Sequence, residues 1–160
     1  MALFMSEPAE SIKVFFENTV FLSSVSSWFF AQLVKAVMVL LRAHKKSGRE
    51  ILETIAWRTG GMPSSHAALV SAMAASVGIK EGIASNLFVV SLFFALIVMR
   101  DAMGVRRSSG LQARNLNILG RTMADHLKID YHSVKEVHGH APLEVVIGAL
   151  LGIFIAAAYA

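Results

Sequence analysis

The sequence predicts an all-α integral membrane bundle of about four transmembrane helices with short interfacial helices, and three observations point there. Of its 160 residues, 55% are hydrophobic and only 16% charged, whereas soluble domains carry roughly 25% charged residues. The apolar residues gather into four stretches, about 21–41, 64–79, 84–99 and 142–160. Each is close to the roughly 17–25 residues a helix needs to cross about 30 Å of hydrocarbon. The charges, finally, are segregated. Five Lys and Arg (Arg42, Lys45, Lys46, Arg49, Arg58) lie between the first two stretches, and seven (Arg100, Arg106, Arg107, Arg114, Arg121, Lys128, Lys135) follow the third.

Residues 1–20 form a polar start with an amphipathic turn or two. Ile12, Phe15 and Phe16 share one side while Lys13 and Glu17 face elsewhere, so the segment is expected to lie along an interface. Glu7, Glu10 and Glu17 occupy the place of a basic leader and apolar core, which predicts that the first span is retained. The second span carries Ala67, Ala68, Ser71, Ala72, Ala74 and Ala75, small enough for close helix approach in lipid. It meets the third through Gly78-Ile79-Lys80-Glu81-Gly82, a connection that forces an antiparallel hairpin. Within the polar segment 100–141, Leu111, Leu116, Leu119, Met123 and Leu127 are spaced as one stripe of a cytoplasmic or interfacial helix. One domain, 1–160, contains all of this.

With four spans, the loops 42–63 and 100–141 emerge on the same side, and the other side receives only Lys13 and Lys80. The positive-inside rule makes both loops cytoplasmic, in a multi-pass protein of the cell membrane. The chain has no cysteine, which excludes disulfides and thiolate chemistry. The net charge of +4 comes without an aromatic-interleaved basic run, so the bilayer and its anionic headgroups, not nucleic acid, are the expected partners. Four spans make a thin bundle, and a homodimer would help to enclose a site.

Five residues are costly to place at the ends of such spans: Lys35, His66, Asp101, His140 and Glu144. The topology brings all five toward the cytoplasmic boundary, as one site would require. The string Gly60-Gly-Met-Pro-Ser-Ser-His66 opens the second span with glycines and the cap-forming Ser64 and Ser65. Backbone N–H groups and a serine hydroxyl there suit phosphate oxygens beside His66; as structure alone, the same string is a helix start. In Gly139-His140-Ala-Pro-Leu-Glu144, the four-residue spacing allows Glu144 to accept from His140 Nδ1 and turn Nε2 outward as a nucleophile. The structural alternative is an acidic first-turn residue stabilised by the helix dipole. Phosphoryl transfer concentrates charge on equatorial oxygens, and Lys35, Arg58, Arg106 and Lys135 are the cations available to meet it. Arg106 is the first candidate, with Arg107 beside it and Asp101 placed to hold it. Asp101 is a lone carboxylate where a magnesium-dependent phosphatidyl transferase needs several, so neither metal nor cofactor is expected.

Three strings resemble one family. GGMPSSHAA (60–68), DAMGVRRSSGLQARNLN (101–117) and KEVHGHAPLEVVIGALLG (135–152) are similar to the divergent branch of the type 2 phosphatidic acid phosphatases, relatives of bacterial acid phosphatases and vanadium haloperoxidases. The resemblance implies His66 as general acid, with Ser64 and Ser65 near phosphate, His140 as nucleophile and Glu144 as its partner. It departs from the wider superfamily at Ser65 (usually glycine), at Glu144 (usually aspartate) and in its cations. No arginine stands six residues before His140, where Lys135, five before it, is the nearest cation, and the superfamily's Lys-x6-Arg-Pro motif is absent as such, Lys35 and Arg58 lying 23 residues apart with no proline following. What it implies is a metal-independent lipid phosphatase working through a phosphohistidine, on phosphatidylglycerol phosphate, phosphatidic acid or a polyprenyl phosphate. The alternative is a non-catalytic phospholipid-binding or transport protein that retains the pocket.

Overall fold

The computed structural model describes residues 8–42, 61–136 and 139–160. All regular structure among them is helical: α1 (Pro8–Glu17), α2 (Thr19–Arg42), α3 (Ser65–Glu81), α4 (Asn86–Met103), α5 (Val105–Leu127) and α6 (Pro142–Ala158).

Helix α3 is the hub, packing against α2, α4 and α6. The chain directions follow from the contacts. Gly148 and Gly152 of α6 abut the carbonyls of Ser64 and Ala68 in the same order, so α3 and α6 run parallel. Ala102 packs on Ala67 while Ala95 packs on Val70 and Ala74, so α4 is antiparallel to α3. The start of α2 meets the end of α6 through Ser26 Oγ and Tyr159 Oη, 2.8 Å apart. Lys35, near its other end, lies within electrostatic reach of Glu144. Helices α2 and α4 therefore run toward the end of the bundle from which α3 and α6 depart.

The interior is built from small residues. Ala31, Ala67, Ala68, Ala72 and Ala95 are buried, and the largest side chains excluded wholly from the surface are Ser23, Ser27 and Ser64. Phe29, Phe30, Phe93, Phe94, Ile97, Leu150 and Phe154 instead point outward. Water would penalise that inversion, whereas a hydrocarbon solvent accepts large apolar side chains and leaves small ones to bring helices together. Among the described residues, the helical runs Thr19–Met38 and Asn86–Leu127 are long and apolar enough to cross a membrane, and Pro142–Ala158 is a shorter apolar helix.

The hairpin between α3 and α4 turns later than the glycine at 78 suggested. Lys80 and Glu81 are good helix formers and extend α3, until Gly82 at φ 82° ends it. Ser85 then caps α4 by accepting the N–H of Phe88 at 3.1 Å. Gly78 stays inside the helix, where a β-carbon would strike the Phe88 ring at 2.9 Å.

Helix α5 carries the stripe seen in the sequence, with Leu111, Leu116, Leu119, Met123 and Leu127 exposed. Its one buried residue, Asn117, clamps the chain that follows. The Asn117 amide donates to the Val134 carbonyl and to Glu136 Oε1, both at 2.9 Å, and its oxygen accepts from Val134 N at 2.9 Å and Tyr131 Oη at 3.0 Å. Replacing Asn117 by alanine leaves the Val134 groups without partners, at a cost of about 1–3 kcal/mol. Amide exchange at Val134 is expected to rise roughly tenfold or more while exchange in α3 stays unchanged.

Candidate active site

The site forms where the sequence sends two helices in and two out. Ser64 caps α3, its hydroxyl accepting the Ala67 N–H at 3.4 Å, after a Met62–Pro63 peptide bond that is cis. Pro142 supplies the first residue of α6, where a missing N–H costs nothing. The two parallel helices thus present their N-terminal ends side by side, and both dipoles favour negative charge there.

His140 is held from three directions. Its backbone N–H donates to the Ala102 carbonyl at 3.0 Å, which ties it to the end of α4. Its ring Nδ1 lies 2.9 Å from Glu144 Oε2, and its side chain is only 5% exposed. Glu144 is fixed in turn, since the same oxygen accepts the Ala141 N–H at 3.1 Å and its carbonyl accepts the Ser64 N–H at 3.0 Å. Glu144 thereby selects the tautomer in which Nδ1 carries the proton, and Nε2 keeps a lone pair without a protein partner among the described residues. Gly139, just before it, runs against the backbone of Arg107, where any β-carbon would collide.

Around this histidine the other polar groups gather. Lys35 is 95% removed from solvent, its ammonium donating to Ser65 Oγ at 3.4 Å. Arg106, at the start of α5, donates from Nε to Asp101 Oδ2 at 2.7 Å, so the carboxylate orients the guanidinium and leaves its outer N–H groups without a partner among the described residues. His66 is exposed at the mouth, within electrostatic reach of Arg106, His140, Lys35 and Asp101.

Of the residues the sequence singled out, His66, His140, Glu144, Lys35, Ser64, Ser65, Asp101 and Arg106 therefore lie together. The Ser64 hydroxyl is engaged as a helix cap, which leaves the Ser65 hydroxyl beside Lys35 as the serine group nearer the cations. Arg107 contributes its backbone to the seat of Gly139. Lys135 is exposed in the segment pinned by Asn117. Arg58 lies outside the described residues. Sequence reasoning passes over the Ala102 carbonyl, because an alanine advertises nothing about its main chain. It also passes over Gly148 and Gly152, although their four-residue spacing is a readable signature of close helix contact.

The arrangement pairs an oriented imidazole with a second imidazole, two cations and two helix N-termini, a set suited to a tetrahedral oxyanion such as phosphate. A protein of Bacillus subtilis (strain 168) described as "Uncharacterized membrane protein YuiD" is 35% identical over 157 residues, covering 86% of this chain and 91% of that protein. No solved structure matches the chain. The sequence pattern of the Divergent PAP2 family matches residues 16–155, which include every described site residue. The chain belongs to the Divergent PAP2 family.

Proposed function

We propose that this protein is a multi-pass membrane phosphatase that hydrolyses a lipid phosphomonoester at the cytoplasmic face through a phosphohistidine. The observation that carries the reading is the buried His140, whose Nδ1 is committed to Glu144 while Nε2 is left free among fixed cations. In the proposed cycle Nε2 attacks phosphorus and the bond from phosphorus to the lipid oxygen breaks. His66, protonated once the negative phosphate offsets the neighbouring cations, gives its proton to the departing alkoxide. Neutral His66 then takes a proton from water, whose oxygen attacks phosphorus and breaks the P–N bond, so that phosphate leaves and both histidines are restored. Lys35, Arg106 and the first-turn amides of α3 and α6 balance the charge on the equatorial oxygens. The basic segments on either side of α3 and α4 support a cytoplasmic location for this end of the bundle.

The test is phosphate release by purified protein from phosphatidylglycerol phosphate, phosphatidic acid and a polyprenyl phosphate, in the presence of a chelator. Release is expected to persist with chelator and to vanish in His140→Ala. Equal release by both proteins, or none from folded protein, would shift the reading to a lipid-binding or transport role.

A further inference from the structure

Helix α5 leaves the bundle. It follows α4 after Gly104, whose φ of −98° and ψ of −85° break the helix, and among the described residues it packs against no helix but α4. It sets out from the height of the site, since Arg106 in its first turn holds Asp101 near the end of α4. Its sides differ. Val105, Leu116, Leu119, Met123 and Leu127 fall within an arc of about 80° on the helix, and each is about half exposed or more. Arg107, Arg114 and Arg121, seven residues apart and exposed, project from the opposite side. The flank between is covered by the segment that follows the helix: Asn117 pins Val134, and the Tyr131 ring lies over Gly120, where a β-carbon would strike it. That segment stops short of the apolar stripe. What covers the stripe is indicated by its surroundings. The outward face of α4, with Phe93, Phe94 and Ile97, is one that hydrocarbon accepts, and α5 begins where that face ends. An arginine row set opposite the stripe leaves the helix one way to lie against the same bilayer, apolar side down and guanidiniums in water.

We infer that α5 lies along the membrane surface at the site end of the bundle, its stripe of Leu116, Leu119, Met123 and Leu127 sunk in the leaflet and its arginine row facing water. The occupant of the stripe is the bilayer, entered to a depth of about 5–10 Å, as is usual for helices of this kind. The placement bears on the site. The chain that leads back to His140 is pinned to α5 at Asn117, and Gly139 rests on the backbone of Arg107, so the imidazole hangs from a helix seated at headgroup level. The mouth of the site then opens at the height of lipid phosphates. This inference stands on the membrane bundle and on α5, and not on the proposed reaction.

The chain has no cysteine, so a single one can carry a nitroxide at any chosen position. The test places it at Leu116→Cys, Leu119→Cys or Met123→Cys on the stripe and at Arg114→Cys or Arg121→Cys on the row, in the full-length protein in vesicles of phosphatidylcholine and phosphatidylglycerol. Collision with oxygen, which concentrates in hydrocarbon, is compared with collision with a water-soluble nickel chelate, and Ile97→Cys on α4 gives the value for hydrocarbon. The ratio of oxygen to nickel collisions is expected to be several-fold higher on the stripe than on the row and to approach that at Ile97. Glutamate at Leu119 and Met123 together should turn a label at Leu116 toward the nickel reagent. Three stripe positions carry the same readout, so a variant that fails to fold is replaced by its neighbour. Nickel dominating on both sides would overturn the inference, α5 then standing in water. So would a stripe that neither reagent reaches and whose nitroxides couple between two copies, or a label at Leu116 indifferent to the glutamates. None of these measurements requires turnover, so the depth of α5 and the proposed reaction stand or fall separately.

Discussion

Alanine in place of His140 is expected to lower turnover of every phosphomonoester by about 10⁴-fold or more, the scale of losing a nucleophile that works with its partners as a unit. Alanine in place of His66 should behave differently. An alkoxide leaving a lipid is a poor leaving group and needs a proton as it departs, and a positioned acid contributes about 10²–10⁴-fold to such a step. A nitrophenolate needs no such help. With His66→Ala, hydrolysis of a lipid phosphate should therefore fall by about that factor, while nitrophenyl phosphate loses roughly tenfold or less. Steady-state rates for the two substrates in the two variants form a square whose corners assign the roles. Equal losses on both substrates in His66→Ala would deny it the acid's part. Acid-labile label retained on the protein by native chain and not by His140→Ala would mark the covalent step.

The second large effect is expected at Gly152. A β-carbon there would overlap the Ala68 carbonyl and come within 2.9 Å of the Ala72 nitrogen, and a backbone cannot step aside as a flexible side chain can. Gly152→Val must push α6 away from α3, at an expected cost of about 3 kcal/mol or more, since packed interiors resist added volume. The loss should appear as a lowered unfolding midpoint in detergent. The displacement also pulls Glu144 from the Ser64 N–H, so what activity survives should be weak even where the protein folds. Gly152→Ala adds the least volume and should fall between native and valine in both readouts; a valine variant as stable as the native protein would refute the close packing.

Much of the helical architecture is legible in the sequence because lipid-facing helices write themselves as apolar runs. The stretches about 21–41 and 142–160 overlap α2 and α6 closely, and the leucine stripe of 111–127 lies on one helix, α5. Helix ends are less legible: α4 continues through Arg100 and Asp101 to Met103, since a charged residue at the end of a helix does not break it. The number of spans is harder still, because α3 and α6 have 17 residues each, at the limit where length ceases to distinguish a crossing from a buried helix.

At the site, side chains with unusual costs identify themselves, and Lys35, His66, Asp101, His140 and Glu144 do so by their position in apolar surroundings. The Nδ1 contact of His140 is written in its four-residue spacing from Glu144. What places these groups against each other is not, because it lies in main-chain atoms. The carbonyl of Ala102, the amide of Ser64 and the backbone of Arg107 belong to residues whose side chains say nothing of that duty. The alternation of four spans does imply that α3 and α6 run parallel, but spacing along one chain does not reveal that the two touch, Gly148 on Ser64 and Gly152 on Ala68.

Main-chain fastening has a consequence for how such a protein can change over generations. The bond from Ser64 to Glu144 and the bond from His140 to Ala102 survive any replacement that keeps the helices seated, whatever side chains are exchanged at Ser64 or Ala102. Drift can then rewrite letters around the histidine, the serine at 65 among them, while the main chain that carries the imidazole stays where it is. A lineage built this way diverges in spelling faster than in shape, and its members are better sought by where two glycines let two helices touch than by the words of a motif.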